Sequence, residues 1–253
     1  MPQDYYAPPK TEAPANDFAA RIDQPVELVG RALNLFFANW LVYGGLGLLV
    51  LGPVSALAQW YAQANPVAAG EANWGQLRIN IMGAGLVAPL AVAGVLSTLG
   101  AHRQGQPAPT LGEALGRGFA LWRPVFAARF VSGLKIGVGL LLFVVPGVYF
   151  GLQLALVDEA VVFGGDRTAS TAMARSETWT KGQLRQVFLV TFAAGMAAMV
   201  PGLALGIVGG ATDMQPLVWA GAALDCALSP ILTIAGALMY WDVARSRDAE
   251  PQA

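Results

Sequence analysis

Six stretches of this chain are nearly free of charge and long enough to cross a bilayer: 40–60, 77–99, 125–145, 148–163, 187–209 and 216–241. An α-helix rises 1.5 Å per residue, so about 20 apolar residues cover a hydrocarbon core of roughly 30 Å. Lipid offers no partner to a bare backbone N–H or C=O, so such runs must be helical. The pattern predicts an all-α integral membrane protein with six transmembrane helices in one domain, 24–245. Residues 1–23 are rich in proline, alanine and acids and lack the basic start and apolar core of a cleavable signal, so they read as a disordered tail. Residues 246–253 read as a second, shorter tail.

Polar positions between the runs fall into a repeated form. PVELVGRALNLFFANW precedes the first run, APTLGEALGRGFALWRP the third and TASTAMARSETWTKGQ the fifth, each with a central arginine: Arg31, Arg117 and Arg175. Val26, Val29, Leu33 and Phe36 recur at helical spacing, and Thr110 with Glu113 makes a T-x-x-E capping box. Three short amphipathic helices are therefore expected in the cytoplasmic interface, each ahead of a helical hairpin, with arginines near lipid phosphates.

Composition agrees with a bilayer as solvent: 55% of residues are hydrophobic and 12% charged, against about 25% charged in ordinary soluble domains. A net charge of −1 gives no basic footprint for nucleic acid. Membrane lipids are the expected partners, and the 1–23 tail is a candidate docking peptide for other membrane proteins. The lone Cys226 has no disulfide partner, and His102 stands in a polar loop. Lysine and arginine fix the orientation. One side holds Lys10, Arg21, Arg31, Arg103, Arg117, Arg123, Arg167, Arg175, Lys181, Arg185, Arg245 and Arg247; the other holds Arg78. The positive-inside rule then places both termini in the cytoplasm. This bias also requires a tight outer hairpin at VVPGVYF between the third and fourth spans, because proline and glycine punctuate helices.

The stretch LALVDEAVVFGG puts Asp158 and Glu159 inside the fourth span, while Arg129 and Lys135 fall in the third and Asp225 in the sixth. A charge at the bilayer centre costs about 2.5–3.5 kcal/mol on insertion scales, so these groups must pair, be neutralised or meet water. Counting from a turn at Pro146-Gly147 places Lys135 and Asp158 at equal depth. The expected network is Lys135 with Asp158, and Asp225 as a second partner. Glu159, turned by about 100° from Asp158, faces another helix, a cavity or Arg129. Gly133–Gly137, Gly147–Gly151, Gly202–Gly206 and Gly206–Gly210 have the G-x-x-x-G spacing of close helix pairs. Pro53, Pro89, Pro201 and Pro230 are expected to kink their spans. No Walker loop, H-E-x-x-H, C-x-x-C or G-x-S-x-G occurs. The expectation is therefore no enzyme, no catalytic residue, no metal and no cofactor.

From Pro146 to Gln183 the chain reads PGVYFGLQLALVDEAVVFGGDRTASTAMARSETWTKGQ. This resembles the membrane domain associated with bacterial glycerophosphoryl diester phosphodiesterases and its stand-alone relatives. Pro146, Gly147 and Tyr149 match that family's first motif. Ala174, Arg175, Ser176, Thr180, Lys181 and Gly182 match its second, with Trp179 where leucine is usual. TLGEALGRGFALW is similar to the family's segment before the third span. The resemblance implies a six-span protein of the bacterial cytoplasmic membrane. It does not imply phosphodiesterase activity, which belongs to a separate barrel domain. Arg175, Ser176 and Lys181, with Arg31 and Arg117, are the candidates for holding a lipid phosphate. The leading functional expectation is a non-enzymatic scaffold that organises other membrane components. The alternative is a small transporter or lipid-handling protein with a polar midplane site.

Overall fold

A computed structural model describes residues 25–68, 71–107, 109–166 and 168–248. Among them the chain is helical, with no strand. Helix α1, Pro25–Ala38, leads into α2, Trp40–Ala64. The second crossing joins α3, Trp74–Met82, to α4, Ala88–Arg103, through a π-helical turn at Gly83–Val87. Pro89 accounts for the wider turn: it has no N–H for the carbonyl four residues back, and the Ala88 N–H reaches Gly83 instead. Then follow α5, Leu111–Leu142, α6, Val144–Gln153, and α7, Val157–Phe163. The chain closes with α8, Ala169–Thr180, α9, Leu184–Ala211, α10, Gln215–Leu228, and α11, Pro230–Asp248.

Six runs are long and apolar enough to cross a membrane: Trp40–Ala64, Trp74–Arg103, Leu111–Leu142, Val144–Phe163, Leu184–Ala211 and Gln215–Ser246. The interior is closed by Tyr43, Leu46, Leu96, Leu99 and Ile234, all buried, while Leu41, Phe130, Leu141, Phe192 and Leu203 face outward. So much exposed apolar surface is the mark of a protein solvated by hydrocarbon. The chain is a polytopic membrane protein of six spans.

Several expected details differ. The segment before the third span is not a separate interfacial helix. The Thr110–Glu113 capping box forms, but it opens α5, which continues through Pro124 to Leu142. At 32 residues that helix is about 48 Å long, so its first turns, with Arg117, extend beyond a 30 Å core. α1 and α8 are separate helices, yet their buried faces pack on the bundle. Leu28, Ala32 and Phe36 of α1 are buried, and α1 packs against α11 and α9. α8 packs against α7 and α5 through Ala172, Ser176 and Thr180. Of the four prolines, Pro53 and Pro201 stay inside continuous helices, whereas Pro230 opens α11 after a break at Ser229. α11 runs to Asp248, so residues 246–248 are helical rather than tail. The 1–23 tail, Arg167 and residues 249–253 lie outside the described residues.

Close approach depends on fewer glycines than the spacing predicts. Gly133, Gly137, Gly151, Gly206 and Gly210 have open space where a Cβ would stand. Gly147 is tight against Leu140 of α5, and Gly202 and Gly209 are tight against Gly221 and Val218 across the α9–α10 hairpin. A Cβ at Gly202 would strike the Asp225 carboxylate and lie 2.6 Å from the Gly221 carbonyl oxygen. Gly202→Ala should therefore lose about 1–3 kcal/mol, read as a lower unfolding midpoint in detergent. Gly206→Ala, four residues along the same helix, should leave the midpoint unchanged.

Candidate functional site: an acidic cavity at a broken span

The site starts from the turn between α5 and α6. If α5 continued, the Pro146 ring would press on the Leu142 carbonyl and offer it no N–H. α5 therefore stops at Leu142, and Phe143 is extended, with φ −160° and ψ 149°. Pro146 falls in the first turn of α6, where the N–H groups have no helical partner to lose. Gly139 and Gly147 let the arms close; a Cβ on Gly139 would stand 3.0 Å from the Gly147 Cα.

This pivot lies three residues before the expected one and changes the pairing. Counted from Phe143, Asp158 is 15 residues along one arm and Arg129 is 14 along the other. They meet: Nε and Nη2 of Arg129 both lie 2.7 Å from Oδ2 of Asp158. Lys135, the expected partner, is only eight residues from the pivot. Its ammonium lies 5.2 Å from the Phe150 ring centroid and pairs with Glu177 of α8. Asp225 joins neither pair. It sits in the α9–α10 seam against Gly202, and its Oδ1 is buried with no hydrogen-bond partner among the described residues.

The fourth crossing is broken halfway along, at residues 154–156, between α6 and α7. α8 bridges the gap. Ser176 Oγ donates to the Gln153 carbonyl at 2.7 Å and accepts from the Leu156 N–H at 3.2 Å. Thr180 Oγ1 donates to the same carbonyl at 3.1 Å and to the Ser176 carbonyl at 2.8 Å. Both side chains are buried. The Ser176 hydroxyl, expected at a headgroup, is buried and stands in for helix hydrogen bonds. The end of α8 stands beside the middle of the fourth crossing rather than in an outer interface.

Asp158 and Glu159 form the first turn of α7, directly after the break. A cavity of about 190 Å³ opens beside them, walled by Arg129 of α5, Gly151 of α6, Val190 and Thr191 of α9, and Leu232, Thr233, Gly236 and Met239 of α11. Glu159 is 4% exposed and holds its carboxylate against Gly236. Glu159 Oε2 and Asp158 Oδ1 are buried with no hydrogen-bond partner among the described residues. The ionisable groups on the wall are one guanidinium and two carboxyl groups. Leu232, on the wall, is 41% exposed, so the cavity reaches the outer surface of the bundle.

The other expected headgroup ligands stand apart on three helices. Arg31 is paired with Glu27 at 2.7 Å, and Arg175 with Asp166 at 2.7 Å, its guanidinium 5.6 Å from the Trp179 ring centroid. Arg117 is half-buried and Lys181 exposed. Sequence reasoning missed Glu177, Asp166, Thr191 and Thr233. Glu177 lies within the ARSETWTKG motif, but nothing in its spacing marks a partner three helices earlier in the chain. Compared with known protein families, curated proteins and solved structures, the chain matches none.

Proposed function

We propose that this membrane protein is a small transporter or lipid-handling protein whose binding site is the cavity at Arg129, Asp158 and Glu159. The observation that carries this reading is the cavity itself, set where a span is broken and walled by charged groups that a bilayer would otherwise exclude. Purely structural charges would pair off completely, whereas here Asp158 Oδ1 and Glu159 Oε2 are buried with no hydrogen-bond partner among the described residues. The scaffold reading leans on the interfacial helices and the 1–23 tail; α1 and α8 bury a face on the bundle, and the tail lies outside the described residues. The placement in a bacterial cytoplasmic membrane with cytoplasmic termini rests on the lysine and arginine bias and on the resemblance to the phosphodiesterase-associated membrane domain. The proposal of a non-enzymatic role rests on the lack of any nucleophile–base motif in the sequence.

The test is access. Thr233→Cys, in a Cys226→Ala background, is reconstituted in sealed vesicles and treated with a membrane-impermeant maleimide from each side, then with a membrane-permeant one. A cavity open to water should label with the impermeant reagent from at least one side, and one open only to lipid with the permeant reagent. A thiol that reacts only after denaturation would refute the reading.

A further inference from the structure

We infer that the cavity binds a primary ammonium group, on a small amine or an aminophospholipid headgroup, with Glu159 as its counter-ion. This rests on the reading of the cavity as a binding site. Asp158 is committed through Oδ2 to Arg129, which leaves the buried Glu159 carboxyl paired with no cation among the described residues. An anion would meet two carboxylates against one already paired guanidinium. A divalent metal asks for six or more oxygens, and no group of three or more metal-type side chains occurs among the described residues. An ammonium asks for less: three acceptors for its three N–H donors. Glu159 Oε2 and Asp158 Oδ1 are two such acceptors, buried and unpartnered among the described residues, and Thr191 and Thr233 stand on the same wall. The remaining wall, with Val190, Leu232 and Met239, suits a short hydrocarbon body. Both sources of the group fit the geometry, because the cavity reaches the outer surface at Leu232.

Purified protein is tested with n-butylammonium chloride against n-butanol by calorimetry. In nanodiscs it is tested for retention of phosphatidylethanolamine against phosphatidylglycerol by native mass spectrometry. Saturable binding of the amine but not the alcohol supports a soluble amine; preferential retention of the ethanolamine lipid supports a headgroup. In either case Glu159→Gln should weaken binding tenfold or more. No preference in both arms, or binding unchanged in Glu159→Gln, overturns the inference. Should Glu159→Gln fail to fold, protection of Thr233→Cys from maleimide by n-butylammonium or ethanolamine lipid, with Glu159 intact, decides the matter. A thiol that labels but is never protected sinks the ammonium assignment and leaves the binding cavity standing. A thiol that never labels sinks both.

Discussion

Arg129→Leu is expected to destabilise the protein by up to about 3–5 kcal/mol, the effect of stripping one partner from an ion pair held largely away from water, with the Arg129 side chain 36% exposed. The guanidinium makes both of its recorded contacts with a single oxygen of Asp158, whose side chain is 15% exposed. Without it, two carboxylates stand adjacent in the first turn of α7 with no cation on the cavity wall. Arg129→Leu combined with Asp158→Leu should recover most of the loss, because an apolar pair at such a position is close to neutral. The same rescue should fail when Lys135→Leu is combined with Asp158→Leu, since Lys135 belongs to Glu177. Unfolding midpoints of the singles and doubles in one detergent make the measurement. Rescue by the Lys135 double instead would restore the pairing that the Pro-Gly turn suggested.

That contrast shows where the sequence stops being legible. The six spans were readable because hydropathy over about 20 residues is a local property and lipid allows few alternatives. The turn was readable as a turn, but its position was not. Pro146 excludes helix at the carbonyl four residues before it, so the chain bends at Phe143 and not at the proline. A shift of three residues in the pivot moves the depth-matched partner of Asp158 by about six, from Lys135 to the neighbourhood of Arg129. The helix α5 hid in the same way. The segment before the third span reads as a separate short helix, yet the helix passes through Pro124 without a break.

The break at 154–156 left no local trace. Leu154, Ala155 and Leu156 are ordinary helix formers, and no glycine or proline sits among them. What holds the break open lies 20 residues later, in hydroxyls that read as headgroup ligands beside Arg175 and Lys181. The cavity inherits this opacity, because its walls come from α5, α6, α7, α9 and α11 and are assembled only once the fourth crossing is interrupted. Glu159 was placed by arithmetic alone: 100° from Asp158 on a helix, it had to point away from whatever Asp158 met. In the structure Asp158 meets Arg129 and Glu159 meets Gly236.

If hydroxyls hold the break, their removal should be graded by what each one serves. Ser176→Ala takes the partner from the Leu156 N–H and one of two donors from the Gln153 carbonyl. Thr180→Val takes only the weaker donor to that carbonyl and leaves Ser176 in place. An unmet backbone group in a dry setting costs about 1–3 kcal/mol. Ser176→Ala should therefore lose that much, Thr180→Val less, and the double about 2–6 kcal/mol, as both ends of the break go unmet. Equal losses from the two single variants would show that packing of the α8 face matters more than hydrogen bonding. A stable double variant would mean that α6 and α7 can join into one helix. Rejoining would turn α7 about its axis and draw Asp158 away from Arg129, so such a variant should also change the labelling of Thr233→Cys. Stability and cavity access are thus tied to the same two hydroxyls.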